Sequence, residues 1–234
     1  MGGAVVRLIQ QTPGVKLVGA IDRPRSSRVG RDAGEVVGVG RLGIRVSDQI
    51  ASLKGNFAII DFTNPKASLD YLRIAAKKKF PIVIGTTGFS AKELAEIKRL
   101  ARRTPVLFSA NMSVGVNLLV NLLGRVAETL GEDYDVEIVE VHHRFKKDAP
   151  SGTALALGRA VAQALKRDLD RVGVCGRKGI VGERTKKEIA LLSVRAGDIV
   201  GEHTVIFGGL GERIEFIHRA HSRDTFARGA IRAA

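Results

Sequence analysis

Residues 57–88 read FAIIDFTNPKASLDYLRIAAKKKFPIVIGTTG, and this stretch predicts one complete strand–helix–strand unit. The opening apolar run FAIIDF is typical of a buried strand, and Asn64 followed by Pro65 is a helix N-cap with proline at the first helical position. The predicted helix continues to about Lys79, and a second strand follows at 81–84. Strands joined by a helical crossover lie parallel in one sheet, so the segment predicts an α/β fold.

The same alternation extends to both sides of this unit. Apolar runs at 16–21 (KLVGAI) and 105–108 (PVLF) predict further strands, and Ser90 with Glu93 predicts a capping box that opens another helix. Because these strands are apolar throughout, we expect a parallel sheet covered by helices on both faces. After Ser113 a long apolar helix is followed mostly by strands, which predicts a second, α+β domain with an open mixed sheet. The predicted boundaries are 1–111 for the first domain, 112–221 for the second, and 222–234 for a C-terminal helix that returns to the first.

Composition limits the possible classes of protein. The chain has 234 residues and a single cysteine, which excludes a disulfide framework. Its 38 Lys and Arg residues against 24 Asp and Glu give a net charge of +14. Such a balance favours an acidic substrate or a nucleic acid, but the basic residues are spread out and aromatic residues make up only 5%, which disfavours base stacking. A basic nucleic-acid-binding protein stays open as an alternative. With no long apolar run and no secretory signal, we expect a cytoplasmic protein without membrane spans.

Two short motifs are candidates for a nucleotide-binding site, and only the second is in a suitable sequence context. Residues 38–43 (GVGRLG) fit G-x-G-x-x-G, but a strand-like segment follows where a dinucleotide fingerprint needs a helix, so we interpret them as a surface loop. Asp22 and Arg23 directly follow the predicted strand 16–21. An acid at this place can hold a ribose 2′-hydroxyl and an arginine a 2′-phosphate, although acid–base pairs are also common in ordinary loops.

Two further groups follow neighbouring predicted strands. Gly85, Thr86 and Thr87 come after the strand at 81–84, and residues 109–111 come after the strand at 105–108. Ligands bind at the carboxyl edge of open parallel sheets, and glycine lets the backbone approach them closely. Each group alone is equally consistent with turn chemistry; together they outline one crevice.

The densest functional pattern is residues 140–153, EVHHRFKKDAPSGT. His142 and His143 are adjacent on a predicted strand, so their side chains point to opposite faces. His142 and Lys146 both carry protons, and the helix predicted to begin at Ser151 offers N–H groups to a carboxylate. The pattern favours an anion site, with a structural polar cluster as the alternative. A metal centre is the weakest of the three, because further ligands at fixed spacing are missing.

These residues carry a resemblance to a known family. The run EIVEVHHRFKKDAPSGTALALG at 137–158 resembles the signature of the dihydrodipicolinate reductases, now called 4-hydroxy-tetrahydrodipicolinate reductases. Further segments resemble the family in the same order along nearly the whole chain. They are DFTNP at 61–65, GTTG at 85–88, FSANMSVGVN at 108–117, VRAGDIVGEHTVIF at 194–207 and GERIEFIHRAHSRDTFARGA at 211–230.

The resemblance implies a Rossmann-like doubly wound fold and a function. It implies an oxidoreductase that uses NADH or NADPH to reduce 4-hydroxy-tetrahydrodipicolinate, or dihydrodipicolinate, to tetrahydrodipicolinate in the diaminopimelate route to lysine. It also implies a homotetramer, formed through the second domain, which would bind the dicarboxylate substrate, while the first domain binds the dinucleotide. The implied catalytic residues are His142 as acid/base and Lys146 as proton donor. The implied substrate contacts are His143, Gly152 and Thr153. The implied cofactor contacts are Met1, Asp22, Arg23, Gly85, Thr86, Thr87, Ser109, Ala110, Asn111 and Met112. No metal is implied.

The chain departs from the family pattern at its start. Family members begin with a strand and a glycine-rich loop, and Met1-Gly2 aligns with the last two residues of that loop. We therefore expect the first strand and most of the pyrophosphate cradle to be missing from this sequence, which leaves Met1 as the loop's one cofactor contact. A truncated or degenerate member that binds the dicarboxylate without turnover is the alternative. The Asp22-Arg23 pair allows both NADH and NADPH.

Overall fold

The computed structural model describes residues 1–50 and 55–234, which divide into two compact units. Unit 1 comprises Met1–Ser113 and Asp224–Ala234, and unit 2 comprises Val114–Arg223. The predicted α/β fold is confirmed. The roles assigned to the domains remain predictions.

The helices and strands of the described residues are defined as follows. The helices are α1 (Gly2–Ile9), α2 (Ala33–Val37), α3 (Pro65–Lys78), α4 (Ala91–Leu100), α5 (Val114–Leu130), α6 (Gly152–Ala164), α7 (Leu169–Val172) and α8 (Asp224–Ala233). The strands are β1 (Ala20–Ile21), β2 (Val46–Ser47), β3 (Ile59–Asp61), β4 (Ile82–Ile84), β5 (Val106–Phe108), β6 (Asp135–His142), β7 (Gly173–Val174), β8 (Ile189–Arg195), β9 (Gly201–Gly208) and β10 (Arg213–Ala220).

Unit 1 contains the parallel strands that the sequence predicts. β3, β4 and β5 form one parallel sheet in which Asp61, Ile84 and Phe108 lie side by side, so their following loops leave the same edge. β1 and β2 form a separate parallel pair. The predicted strand 16–21 is too long, since the observed strand is only Ala20–Ile21. Only these two residues lie opposite β2, and strand hydrogen bonds cannot extend beyond the partner strand.

The helix signals of unit 1 act as predicted. The Asn64 side chain accepts a hydrogen bond from the Ala67 N–H at 3.1 Å, and Pro65 begins α3. Ser90 and Glu93 form the predicted capping box of α4. Residues 38–43 form a loop between α2 and β2, confirming that the glycine pattern there is not a strand-to-helix turn. The Asp32 carboxylate holds that loop by accepting the N–H groups of Leu42 and Gly43.

The C-terminal helix α8 packs within unit 1. Ala230, fully buried, lies in one apolar cluster with Val83 of β4 and Met112. A Cβ atom on Gly229 would lie 1.7 Å from the Met112 carbonyl oxygen, so the two backbones touch at this position. A glycine is therefore required where α8 crosses the segment after β5.

Unit 1 also contains an open cleft of about 1560 Å³. Its walls come from α1, the segment 14–28 around β1, the segment 56–64 around β3, and the end of α8. Asp22 and Arg23 stand on its wall, and Met1 lines it from the N-terminal side.

Unit 2 is built on a mixed sheet with strand order β10-β9-β6-β8-β7. β6 pairs parallel to β8 and antiparallel to β9, as expected for a mixed sheet. Ile138 and Phe207 of the sheet are buried in one core with Leu123 of α5 and Leu157 of α6. Helices α5 and α6 therefore cover the face of the sheet that carries alternate residues of β6.

Candidate active site

Three neighbouring strands of unit 2 change from apolar to polar side chains in matching rows of the sheet. From the core outward, the adjacent positions on β6, β8 and β9 are Ile138, Leu191 and Val205, then Glu140, Ser193 and His203, then His142 beside Arg195. Since side chains two apart share a face, the polar rows continue the face that forms the core. The ends of these strands thus place titratable groups at the margin of the packed interior.

Glu140 is the buried centre of this polar group, with no exposed surface. Arg195 donates Nη1 to Oε2 and Nη2 to Oε1, both at 2.8 Å, and the Ser151 N–H donates to Oε1 at 3.1 Å. Burial tends to raise the pKa of Glu140, but hydrogen bonds from Arg195, His142 and Ser193 outweigh it and lower the pKa to about 2. Glu140 is therefore a carboxylate at neutral pH.

His142 lies against this carboxylate. Its Nδ1 is 2.5 Å from Glu140 Oε2, and its ring packs edge-on against His203 with centroids 5.2 Å apart. Burial lowers the pKa of His142, and the positive charges of Lys146 and Arg195 lower it further, while Glu140 opposes both effects. The net shift is downward, so His142 is uncharged at neutral pH and can accept a proton.

The start of α6 is tied to the same strands. Ser151 caps the helix, its Oγ accepting the Ala154 N–H at 3.1 Å and lying 3.0 Å from His203 Nε2. Gly152 and Thr153 form the first turn, where backbone N–H groups and the helix dipole favour an anion. No heavy atom lies within 4 Å of the position that a Cβ on Gly152 would take, so this turn is open on that side.

Lys146 and His143 occupy the loop between β6 and α6. Lys146 Nζ donates to both carboxylate oxygens of Asp148, at 2.8 and 2.9 Å, and Arg195 donates to the Asp148 carbonyl at 2.7 Å. His143 lies beyond the end of β6, with its Nε2 3.4 Å from the guanidinium of Arg223. The loop thus carries a high density of positive charge near His142.

The structure brings the predicted residues of unit 2 to one end of the sheet. His142, Lys146 and the start of α6 are linked through Glu140, Arg195 and Asp148; their roles stay predictions. The sequence reasoning missed Glu140, Arg195 and His203. A signal for Glu140 was present, because Val136 and Ile138 alternate as core residues and the same alternation buries position 140. A buried carboxylate needs donors, and that requirement could have directed a search for a partner arginine.

The predicted cofactor residues of unit 1 fall into two places. Asp22 follows β1 and accepts hydrogen bonds from the Arg23 N–H and the Ser26 hydroxyl, both at 2.8 Å. Arg28 lies 3.5 Å from the same carboxylate. Although partial burial raises it, these hydrogen bonds and cations leave the pKa of Asp22 below its usual value. The wall of the cleft therefore presents an ionised acid among guanidinium groups.

The second place is the edge where β4 and β5 end. Thr86 is buried, and its Oγ1 accepts the Ser68 hydroxyl at 2.8 Å and donates to Asp61 at 3.3 Å, so its hydroxyl serves the interior of unit 1. A Cβ on Gly85 would lie 2.2 Å from the Phe62 ring, which explains the glycine by packing. Thr87 is exposed at the same edge.

Residues 109–112 leave β5 beside the loop after β4. Ser109 Oγ donates to the Asn111 carbonyl at 2.7 Å, and Asn111 Oδ1 accepts the Ser113 N–H at 2.8 Å. Met112 is buried in the unit 1 core, and Ala110 is exposed. The two groups after β4 and β5 lie at adjacent strand ends, whereas Met1, Asp22 and Arg23 line the cleft. Contact of each with a cofactor stays a prediction.

The cleft wall fits a dinucleotide in its chemistry. Arg23, Arg25 and Arg28 line it together with Asp22, and this combination suits phosphate and ribose groups. Over residues 1–50 and 55–234, no cluster of three or more histidine, cysteine, aspartate or glutamate side chains is arranged to hold a metal ion. Over the same residues, no helix has both the length and the apolar character that a membrane span requires.

Unit 1 is a parallel α/β unit with a cleft suited to phosphate and ribose, and unit 2 carries acid–base groups at one end of its sheet. The protein is thus a two-domain oxidoreductase of Rossmann-like architecture. Family models described as "Dihydrodipicolinate reductase, N-terminus" and "Dihydrodipicolinate reductase, C-terminus" match residues 1–112 and 115–234. The chain belongs to the dihydrodipicolinate reductase family.

Similar proteins agree with this assignment. The chain is 55% identical to the 4-hydroxy-tetrahydrodipicolinate reductase of Syntrophus aciditrophicus (strain SB), over 100% of this chain and 88% of that protein. It is 53% identical to the enzyme of the same name from Hahella chejuensis (strain KCTC 2396), with the same coverage. Among solved structures, a dipicolinate-bound dihydrodipicolinate reductase from Paenisporosarcina sp. TG-14 superimposes with a TM-score of 0.75 at 23% identity, covering 98% of this chain and 87% of that one, and supports the fold.

Proposed function

We propose that this protein is an NAD(P)H-dependent reductase that converts 4-hydroxy-tetrahydrodipicolinate, or its dehydrated form dihydrodipicolinate, to tetrahydrodipicolinate in the diaminopimelate route of lysine biosynthesis. Family membership over the whole chain and 55% identity to a reductase of this name support it. The observation that carries the proposal is the polar group around Glu140, which links an uncharged histidine, a lysine ammonium and a helix N-terminus.

The cofactor supplies a hydride when it is bound. Asp22 is proposed to accept a hydrogen bond from a ribose hydroxyl, and Arg23 to balance phosphate charge on the cleft wall. Met1 would contact the cofactor from the N-terminus of α1. The loops 85–87 and 109–112 would contact it from the adjacent ends of β4 and β5, with Thr86 acting through its backbone because its hydroxyl is engaged with Ser68 and Asp61.

The substrate is a ring with two carboxylates, and unit 2 offers matching cations and N–H donors. The first turn of α6, at Gly152 and Thr153, is proposed to bind one carboxylate through backbone N–H groups and the threonine hydroxyl. His143 is proposed to contact the substrate from the preceding loop. Anchoring both ends of the ring fixes the reacting carbon in place, and orientation of this kind supplies much of an enzyme's rate.

The 4-hydroxy form of the substrate first loses its hydroxyl and a neighbouring proton as water, which gives the dehydrated ring. Hydride addition to that ring leaves electron density that a proton must neutralise. Lys146 is proposed to deliver that proton from Nζ, and its positive charge stabilises the anion that develops before transfer. The pKa of His142 is lowered by burial and by nearby cations, so the ring is uncharged. His142 is proposed as the acid/base that takes up a proton and returns it to the site after Lys146 has given up its own. Both carboxylate oxygens of Asp148 accept from Nζ and hold the Lys146 side chain in place.

A steady-state assay of the purified chain tests the proposal. We expect NADH or NADPH oxidation that depends on freshly generated 4-hydroxy-tetrahydrodipicolinate. Binding of dipicolinate by calorimetry without any turnover would instead support a dicarboxylate-binding protein and overturn the reductase function. Tight, salt-sensitive DNA binding without cofactor binding would favour the nucleic-acid alternative.

We also propose a cytoplasmic homotetramer that assembles through the second face of the unit 2 sheet. The face away from α5 and α6 carries a mostly apolar row in register across four strands. The row consists of Leu192, Val139, Thr204 and Ile217, with Val194 and Val141 beside it. Val194 and Ile217 are 43% and 46% exposed in the single chain, and apolar surface of this kind marks an interface. Light scattering after gel filtration should give a tetramer for the wild type and smaller species for Ile217→Asp.

A further inference from the structure

Glu140 lies against His142 and Arg195 holds Glu140, yet neither is accounted for by the proposed chemistry. We propose that Glu140 is a positioning residue that fixes His142 as the tautomer protonated on Nδ1 and leaves Nε2 as the proton-accepting atom, with Arg195 holding Glu140 in place. This inference rests on the proposed function only where it concerns turnover. The tautomer itself follows from hydrogen bonding.

The two oxygens of Glu140 are surrounded by donors. Oε1 accepts from the Ser151 N–H and from Arg195 Nη2, and Oε2 accepts from Arg195 Nη1 and faces His142 Nδ1. A backbone N–H and a guanidinium can only donate, and a guanidinium cation paired with both oxygens favours the ionised carboxylate. Its low pKa agrees with this reading.

An ionised carboxylate decides the state of His142. A neutral imidazole has one N–H and one lone pair, and the nitrogen that faces an acceptor must carry the hydrogen. Nδ1 lies 2.5 Å from Oε2, so without a hydrogen on Nδ1 the nitrogen lone pair would face an oxygen lone pair of the carboxylate and repel it. The hydrogen therefore lies on Nδ1, and the lone pair lies on Nε2.

Arg195 connects this arrangement to Lys146. Arg195 lies opposite His142 in the parallel register of β6 and β8, which places its guanidinium beside Glu140. It also donates to the carbonyl of Asp148, whose carboxylate accepts from Lys146. One arginine thus fixes the carboxylate behind His142 and the loop that carries the proposed proton donor.

The cost of a neutral residue at position 140 is predictable. Glutamine has one oxygen and one amide nitrogen. With the nitrogen in place of Oε1, its N–H₂ group faces two groups that can only donate, the Ser151 N–H and Arg195 Nη2; in place of Oε2 it faces only one, Arg195 Nη1, because His142 can change its tautomer, so this second orientation is favoured. With the nitrogen toward His142, only the Nε2–H tautomer forms a hydrogen bond, and the proton acceptor on Nε2 is lost. Glu140→Gln is therefore expected to change the tautomer while it conserves side-chain volume.

The direct test is ¹⁵N NMR of the histidine rings in the full chain without substrate. We expect His142 to show the Nδ1–H tautomer in the wild type, and a mixed or Nε2–H population in Glu140→Gln. Glu96→Gln is the matched control, because Glu96 also accepts two hydrogen bonds from one arginine, Arg73, on the surface of unit 1. If the wild-type spectrum shows His142 as the Nε2–H tautomer, that result alone overturns the inference.

Kinetics then test the consequence for turnover. For Glu140→Gln and Arg195→Met we expect kcat to fall by about 10- to 100-fold, the usual effect of losing the partner that orients a functional histidine, with KM little changed. The acid limb of the pH profile of Glu140→Gln should move to lower pH, because the remaining neighbours Lys146, Arg195 and His203 do not favour a charged His142. Arg195→Lys should recover part of the loss, since it keeps the charge.

The two proposals fail separately. A wild type with the Nδ1–H tautomer but no reductase activity overturns the proposed function and supports the positioning inference. An active wild type whose kcat is unchanged in Glu140→Gln and Arg195→Met overturns the positioning inference. Equal losses in Glu96→Gln would show a general loss of stability and would also overturn it.

Discussion

Ser151 Oγ lies 3.0 Å from His203 Nε2, although the two residues are 52 positions apart in the chain. The contact ties the N-cap of α6 to β9 inside unit 2, where both residues are buried. Among the described residues His203 Nδ1 has no hydrogen-bond partner, so a second proton on this ring would be buried and unpaired. His203 is therefore held in its neutral form.

This burial predicts how stability depends on pH. Desolvation, aided by His142, lowers the pKa of His203 from 6.5 to about 4, so between these values the unfolded chain binds a proton that the folded chain does not. The free energy of unfolding should fall as pH decreases from 6.5 to about 4, by up to about 3 kcal/mol from this one group.

Urea titrations at several pH values, followed by circular dichroism, measure the effect. His203→Gln keeps a polar partner for Ser151 and should flatten the dependence in this window. The exposed His221 supplies the control, and His221→Gln should leave the slope as in the wild type. An unchanged slope in His203→Gln would show that the proton is taken up elsewhere.

Lys146 and Lys147 are neighbours with different expected importance. Lys146→Ala should lower kcat by about 100-fold or more, the range typical of a lost general acid, because the proposed proton donor is removed. Lys147→Ala removes the same charge from the same loop and should keep kcat within about twofold of wild type. Steady-state rates of the two variants measure the difference, and equal losses would contradict the role given to Lys146.

Gly201 is predicted to preserve the position of His142. A Cβ on Gly201 would lie 2.9 Å from His142 Nε2 and 3.2 Å from Cδ2, so Gly201→Ala must displace the ring. Because small displacements of a reacting group are costly, we expect kcat to fall by about 10- to 100-fold. Gly208→Ala, in the same strand but with no heavy atom within 4 Å, should retain activity. Wild-type turnover in Gly201→Ala would argue against a catalytic His142.

Gly229 is expected to determine the stability of unit 1. Gly229→Ala places a methyl group against the Met112 carbonyl oxygen and should destabilise the chain by about 1–3 kcal/mol, as overpacking does. Gly124→Ala in α5 has its nearest neighbour at 3.8 Å, and it should stabilise the chain by about 0.5–1 kcal/mol through helix propensity. Thermal unfolding distinguishes the two. A Gly229→Ala protein as stable as the wild type would mean that α8 does not pack against Met112.

Arg23 is expected to discriminate between the two nicotinamide cofactors. If its guanidinium pairs with a 2′-phosphate, Arg23→Ala should raise the Kd of NADPH by about 10-fold, since a charge-assisted hydrogen bond is lost. The Kd of NADH should change little. Arg103→Ala removes an exposed charge elsewhere in unit 1 and serves as the control in fluorescence titrations. Equal weakening of both cofactors would place Arg23 at the shared diphosphate.

The helix starts and the family of this protein could be predicted from short stretches of sequence. Asn64-Pro65 and the Ser90–Glu93 box set the starts of α3 and α4, because a helix N-terminus is stabilised by side chains within three residues of it. The family could be identified because its signature at 137–158 is continuous in the chain. Such signals depend on neighbours in sequence and do not need the rest of the fold.

The arrangement around Glu140 was decided by tertiary structure alone. Arg195 and His203 come from strands more than 50 residues further along, and they meet Glu140 only because β6 lies between β8 and β9 in one particular register. That register is selected by packing of the whole apolar face, since a shift of one residue would expose the core. Likewise, the burial of the Thr86 hydroxyl against Ser68 depends on how α3 packs across β4. The sequence by itself therefore determined which groups this protein possesses; the pairing of strands determined which atoms of those groups can react.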